Sequence, residues 1–246
     1  MSWTWIPNAL TLIRCALAFA VTFAVLLGGA VSHRLNAAYS EWVRAGMPAP
    51  GEAGYPEALA SIRPESLLVW PAVALTAFLL AAVTDLLDGI AARALNAQSA
   101  FGAWLDPIAD KLLVGLSLAA LTVASGNVWL AVPSALIICR DTYITWLRAR
   151  LGGGYALPVM AAAKWKTALE MIAIGVLLAA PLSVLLAPLL VGPSGLTPAQ
   201  SAHMSPAANI LGITLTWAAA TLSAWTGLRY WRAAQEAPND LQKTFE

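Results

Sequence analysis

The chain predicts an all-α integral membrane protein of six transmembrane helices, on three observations. Of its 246 residues, 59% are hydrophobic and 11% charged, whereas a soluble domain carries charge on nearer a quarter of its residues. The apolar residues fall into runs near the roughly 20 residues that a helix needs to cross a bilayer. Between these runs, proline, glycine and charge concentrate. The net charge of +1 gives no support to a nucleic-acid partner.

Ser2 to Pro7 places Trp3 and Trp5 ahead of the first apolar run, which suits a short N-terminal segment lying at headgroup level. With no basic n-region and no small-residue cleavage site, no removable signal peptide is expected. The first span covers about residues 8 to 31 and holds Arg14 one turn inside, where an ionisable residue is costly and tends to be functional. Residues 32 to 66 read as a polar loop inserted into a single membrane domain of residues 1 to 246. The loop carries Arg34, Arg44, Arg63, four glutamates and four prolines, with a short amphipathic helix around Leu35 to Val43.

Span two runs from Leu67 into Asp85 to Arg93, and Ala94 to Ala100 turns the chain back. Span three starts near Gly102 and ends near Ala124. Span four covers Val128 to Trp146 and contains Arg140 and Asp141. Span five covers Trp165 to Leu190, the loop Val191 to Pro206 has neither lysine nor arginine, and span six covers Ala207 to Leu228. Cys15 and Cys139 both fall in apolar stretches and read as buried, unpaired small hydrophobes. Most lysines and arginines fall on the side of Arg93, Arg148 and Lys164, so that side is expected to be cytosolic, with both termini.

The functional signal lies where spans two and three meet. Asp85, Asp88, Gly89, Ala92 and Arg93 are spaced to share one helix face, and Gly102, Asp106 and Asp110 repeat at intervals of four on the next helix. Four converging carboxylates in an apolar chain call for a compensating cation. All-oxygen donors select a hard ion, Mg²⁺, Mn²⁺ or Ca²⁺, over zinc. Gly89 and Gly102 allow a flat or phosphorylated ligand to approach the backbone, and Arg93 offers a fork suited to phosphate oxygens. Arg140, Arg148, Lys164 and Lys166 form a second basic cluster, an anion site on the same side, with Lys164 and Lys166 opening span five where a helix N-terminus favours anions. A divalent-cation channel would use the carboxylates but would leave Gly89, Arg93 and Gly102 without a role.

The string Asp85-x2-Asp88-Gly89-x2-Ala92-Arg93-x8-Gly102-x3-Asp106-x3-Asp110 resembles, without a gap, the signature of the CDP-alcohol phosphotransferases, membrane enzymes of phospholipid synthesis. The opening Ile6-Pro7-Asn8-x-Leu10-Thr11-x-x-Arg14, the Lys164-Trp165-Lys166-Thr167 run and Thr226-Gly227-Leu228-Arg229-Tyr230 are similar to the bacterial phosphatidylglycerophosphate synthases within that family. The resemblance covers about residues 5 to 233, apart from the 32 to 66 loop. It implies a metal-dependent transferase of the bacterial inner membrane, multi-pass, with its active site on the cytosolic side, and a homodimer.

Its implied substrates are CDP-diacylglycerol and sn-glycerol 3-phosphate, giving phosphatidylglycerophosphate and CMP. Asp85, Asp88, Asp106 and Asp110 would hold Mg²⁺ or Mn²⁺, Asp110 would also be the general base, and Gly89, Ala92, Arg93 and Gly102 would surround the cytidine diphosphate. Arg140, Arg148, Lys164 and Lys166 would receive the acceptor phosphate. One departure stands out: those synthases usually carry Arg-Glu where this chain has Arg140-Asp141. That pair is similar to the cardiolipin synthases, whose acceptor is phosphatidylglycerol, and they are the alternative reading.

Overall fold

The structure, a computed structural model, describes residues 5–47, 55–56, 66–94, 100–151, 161–183 and 198–235. At the helix ends 88–94, 100–104, 148–151 and 161–164, among others, the description covers the backbone and not the side chains. Six helices make up the described chain: α1 (Trp5–Arg44), α2 (Ser66–Ala94), α3 (Ala100–Ser125), α4 (Val128–Leu151), α5 (Ala161–Ala179) and α6 (Pro198–Gln235), with a 3₁₀ turn (Ala180–Leu182) closing α5. Each of the six contains a stretch long and apolar enough to cross a membrane. The expected all-helical, multi-pass architecture is therefore what the chain forms.

The surface explains why this arrangement belongs in lipid. Phe19, Phe23, Leu79, Leu80, Ile172 and Ile210 are all exposed on the outside of the bundle, where a soluble protein of this size would place charge. Inside, the contacts are made largely by small residues, including Ala18, Ala24, Ala74, Ala77, Ala81, Ala219 and Ala220. Helices in a bilayer gain little from the hydrophobic effect and associate through such close packing. α1 packs against α2 and α3, α6 packs against α4 and α5, and the two groups join where α3 meets α4 and α2 meets α5. At one close crossing, a side chain at Gly29 would place its Cβ 2.6 Å from that of Ala124.

Several boundaries differ from the sequence expectation. α1 does not stop near residue 31 but continues unbroken to Arg44, so the amphipathic stretch at Leu35 to Val43 is its water-side extension. The loss of apolarity at residue 32 is not a loss of helical potential. No glycine or proline occurs between Val31 and Arg44, and Ser32 and Ser40 satisfy their hydroxyls on the helix's own carbonyls at Gly28 and Ala37. Forty residues span about 60 Å at 1.5 Å per residue, twice the roughly 30 Å apolar thickness of a bilayer.

At the N-terminus, Trp5 to Pro7 form the first turn of α1 rather than a separate segment; Trp3 lies outside the described residues. α6 begins at Pro198, so the second half of the expected loop at 191 to 206 is helical. α5 gives way to the 3₁₀ turn at Ala180, because Pro181 has no N–H for an α-helical bond. Ala94 ends α2 and Ala100 begins α3; residues 95–99 of the expected turn, and the expected last turns of span five after residue 183, lie outside the described residues. The cysteines are unpaired as expected, but Cys139 is exposed and Cys15 only half-buried. An apolar stretch in this bundle faces lipid as readily as core.

Between α3 and α4 the chain reverses in two residues. Gly126 takes the left-handed conformation at φ 59, and the Asn127 side chain accepts the Trp129 N–H at 2.9 Å to cap α4. This tight reversal fixes α4 beside α3 and brings Arg140 and Asp141 back toward the end of the bundle where α3 began.

Candidate functional site

Three helices build the first half of the site. Thr11 and Arg14 lie three residues apart on α1 and so share a face, and both are buried, each 1% exposed. The Arg14 guanidinium pairs through Nη1 with Asp85 Oδ1 of α2 at 2.9 Å and donates from the same nitrogen to Asp110 Oδ1 of α3 at 2.9 Å. The Thr11 hydroxyl donates to Asp106 Oδ1 at 2.7 Å. Three of the four signature aspartates are thus brought to one end of the bundle by two side chains of the first helix. The Asp85 and Asp110 carboxyls are half exposed, at 54% and 52%, so they open outward from a buried cation.

Asp88, Gly89, Ala92 and Arg93 continue α2 on the same helical register, and Gly102 lies in the first turn of α3. Their side chains, and so their contacts, lie outside the described residues. Among the described side chains no three carboxylate, histidine or cysteine groups form a ready-made metal cage.

The second half of the site is a charge network on α4, α5 and α6. Asp141 accepts from Arg140 Nη1 at 2.9 Å and, through both carboxylate oxygens, from the Lys166 ammonium. Arg140 is held on two further sides: Nη2 donates to the Thr226 hydroxyl at 2.9 Å, and the guanidinium lies over the Tyr230 ring, 5.6 Å from its centre. Gly227 leaves room for this, since a Cβ there would sit 3.1 Å from Arg140 Cγ. Glu170, one turn beyond Lys166, stands 3.1 Å from the same ammonium. Arg140 and Lys166 are therefore balanced by Asp141 and Glu170 rather than forming an uncompensated basic patch. Arg148 and Lys164 lie on the ends of α4 and α5, with side chains outside the described residues.

A cleft of about 250 Å³ joins the two halves, running from Asp110 and Lys111 of α3 past Arg140 and Asp141 to Lys166 and Tyr230. A carboxylate that can take a proton thus shares one space with guanidinium and ammonium groups that can hold an anion. The CDP-alcohol phosphatidyltransferase family model matches residues 59–225, which contain both halves of this arrangement except Thr11, Arg14, Thr226, Gly227 and Tyr230.

The chain belongs to the CDP-alcohol phosphatidyltransferase family. Among the family's members it is similar to a protein of Cereibacter sphaeroides named CDP-diacylglycerol–glycerol-3-phosphate 3-phosphatidyltransferase, 41% identical over 181 residues that cover 65% of this chain and 80% of that protein. Proteins of the same name from Pseudomonas fluorescens and Shigella flexneri are 37% and 33% identical, covering 64% and 67% of this chain and 72% and 80% of their own lengths.

As a phosphatidyltransferase-family site, this one includes residues that spacing alone did not assign. Arg14 carried a signal, since a charge buried in a membrane helix needs a reason; its partners were not visible, because 96 residues separate it from Asp110. Thr11 and Thr226 stand in strings that resemble the synthases and Glu170 does not, but the part each plays is visible only through contacts between side chains.

Proposed function

We propose that this chain transfers the phosphatidyl group of CDP-diacylglycerol to sn-glycerol 3-phosphate, releasing CMP, as the names of its relatives suggest. The observation that carries the reading is the shared cleft, which sets Asp110 against Arg140 and Lys166. The acceptor's hydroxyl attacks the lipid-linked phosphorus, its proton passes to Asp110, and the bond from that phosphorus to the CMP oxygen breaks, CMP leaving with the electron pair. Asp110 suits the base role because Arg14 orients its carboxyl while half of it remains open to the cleft. Arg140 and Lys166, with Arg148 and Lys164 at the same helix ends, hold the acceptor phosphate.

The donor set fits a divalent cation. Asp85, Asp106 and Asp110 offer oxygen alone, two of them hang on a single guanidinium, and both of those face outward. With Asp88 they would hold Mg²⁺ or Mn²⁺, which supplies charge neutralisation to the donor's pyrophosphate. Gly89, Ala92, Arg93 and Gly102, on the adjoining turns of α2 and α3, would take the cytidine diphosphate.

The acyl chains of the donor must stay in lipid while glycerol 3-phosphate arrives from water, so the site belongs at a membrane boundary. The distribution of lysine and arginine supports the cytosolic face of the bacterial inner membrane as that boundary, and the family resemblance supports a single membrane domain that works as a homodimer. The alternative acceptor, phosphatidylglycerol, is not favoured by the relatives' names.

The test is purified protein with CDP-diacylglycerol and Mg²⁺, offered glycerol 3-phosphate or phosphatidylglycerol and scored by CMP release. Release that depends on glycerol 3-phosphate is expected. Release with phosphatidylglycerol alone would reject the reading.

A further inference from the structure

The inner wall of the cleft holds a buried acceptor oxygen that is ion-paired but receives no directed hydrogen bond. Glu170 is 2% exposed and lines the cleft, yet its Oε1 has no hydrogen-bond partner. The neighbouring Lys166 ammonium stands 3.1 Å away but directs its hydrogen bonds to both oxygens of Asp141. A buried carboxylate oxygen left in this state costs free energy unless a ligand or water supplies a proton donor. Ion pairing with Lys166 accounts for the charge of Glu170, because Asp141 is shared with Arg140. It does not account for an oxygen that receives no directed hydrogen bond.

We propose that Glu170 Oε1 accepts a hydrogen bond from a non-reacting hydroxyl of a phosphorylated polyol bound in the cleft, and so reads which acceptor is present. Resting on the transfer to glycerol 3-phosphate proposed above, this assigns a partner to each polar group of that substrate. The phosphate lies with Arg140 and Lys166, the terminal hydroxyl meets Asp110, and the middle hydroxyl donates to Glu170. All four side chains line the one cleft. An acceptor without a middle hydroxyl would leave the carboxylate oxygen buried and unpaired in the complex, and a site of that kind discriminates through the unmade bond.

The experiment compares two acceptors in the full-length purified protein with CDP-diacylglycerol and Mg²⁺: glycerol 3-phosphate, and 3-hydroxypropyl phosphate, which lacks only the middle hydroxyl. For the parent protein, kcat/KM is expected to be about 10- to 150-fold lower with 3-hydroxypropyl phosphate, the range for a hydrogen bond to a charged group. In Glu170→Ala that preference collapses to within about 3-fold, mainly because glycerol 3-phosphate loses its advantage. Glu170→Met, which keeps the side chain's size without an acceptor oxygen, gives the same result and carries the comparison if the alanine variant does not fold.

Equal use of the two acceptors by the parent protein would overturn the proposal without any variant. So would a preference that survives in Glu170→Ala or Glu170→Met, or equal losses with both acceptors. A parent protein that releases no CMP with glycerol 3-phosphate but does so with phosphatidylglycerol would instead reject the transfer reading on which the proposal rests.

Discussion

Replacing Asp110 by asparagine keeps the side chain's size and removes its ability to take a proton. Turnover should fall by at least about 10²-fold, the usual scale for loss of a general base, while CDP-diacylglycerol affinity stays within a few-fold. Rapid-quench turnover and equilibrium binding on the same preparation check this, and near-normal turnover would remove Asp110 from the base role. Thr11→Val tests the support that α1 gives to the aspartates. It deletes the 2.7 Å hydrogen bond to Asp106 at nearly constant volume, and a bond to a charged acceptor contributes on the order of 1.5 kcal/mol. Mn²⁺ titration should show affinity lowered by about tenfold, with Thr11→Ser restoring it; unchanged affinity would mean that Thr11 does not position Asp106. At this scale the sequence spoke clearly through charge. Asp85, Asp106, Asp110 and Arg14 are conspicuous because ionised groups are rare in spans, whereas Thr11 and Glu170 matter through partners on other helices that no spacing rule connects.

Helix existence was legible from apolar run length, and helix ends were not. Hydropathy reports where the surroundings change from lipid to water, and that need not be where the backbone stops being helical. α1 shows the difference, running through its polar stretch to Arg44 because nothing in that stretch breaks a helix. α6 shows it again, starting at Pro198 well before its apolar part. Packing between elements depended on small residues whose neighbours could not be read from one chain. Gly29→Leu makes this testable: the added side chain meets Ala124 where even a Cβ would come within 2.6 Å, so α1 and α3 must separate. A loss of about 1–3 kcal/mol is the usual cost of such overpacking, seen as a lower melting temperature in detergent, with activity falling because Thr11 and Arg14 move with α1. A variant as stable and active as the parent would show that this crossing is looser than the contact implies.

For the whole molecule, the fold places a proton acceptor, a set of oxygen ligands and a cationic cleft at one end of a six-helix bundle, where a lipid-anchored donor and a water-borne acceptor can meet. The expected basic cluster becomes a balanced network once its described members are seen with Asp141 and Glu170. Lys166→Ala should therefore do two things: raise the KM for glycerol 3-phosphate roughly 10- to 150-fold, and lower stability by leaving the buried Glu170 and the partly buried Asp141 with less compensation. Initial-rate kinetics and thermal melts on the same variant separate these effects, and a changed melt with an unchanged acceptor KM would confine Lys166 to structure. The most direct test of the central claim is incorporation of radiolabelled glycerol 3-phosphate into lipid by the purified protein with CDP-diacylglycerol. It should be robust with Mg²⁺ or Mn²⁺, vanish on exhaustive chelation, return when metal is restored, and be abolished by Asp85→Ala; undiminished incorporation after chelation, or in Asp85→Ala, would contradict the account.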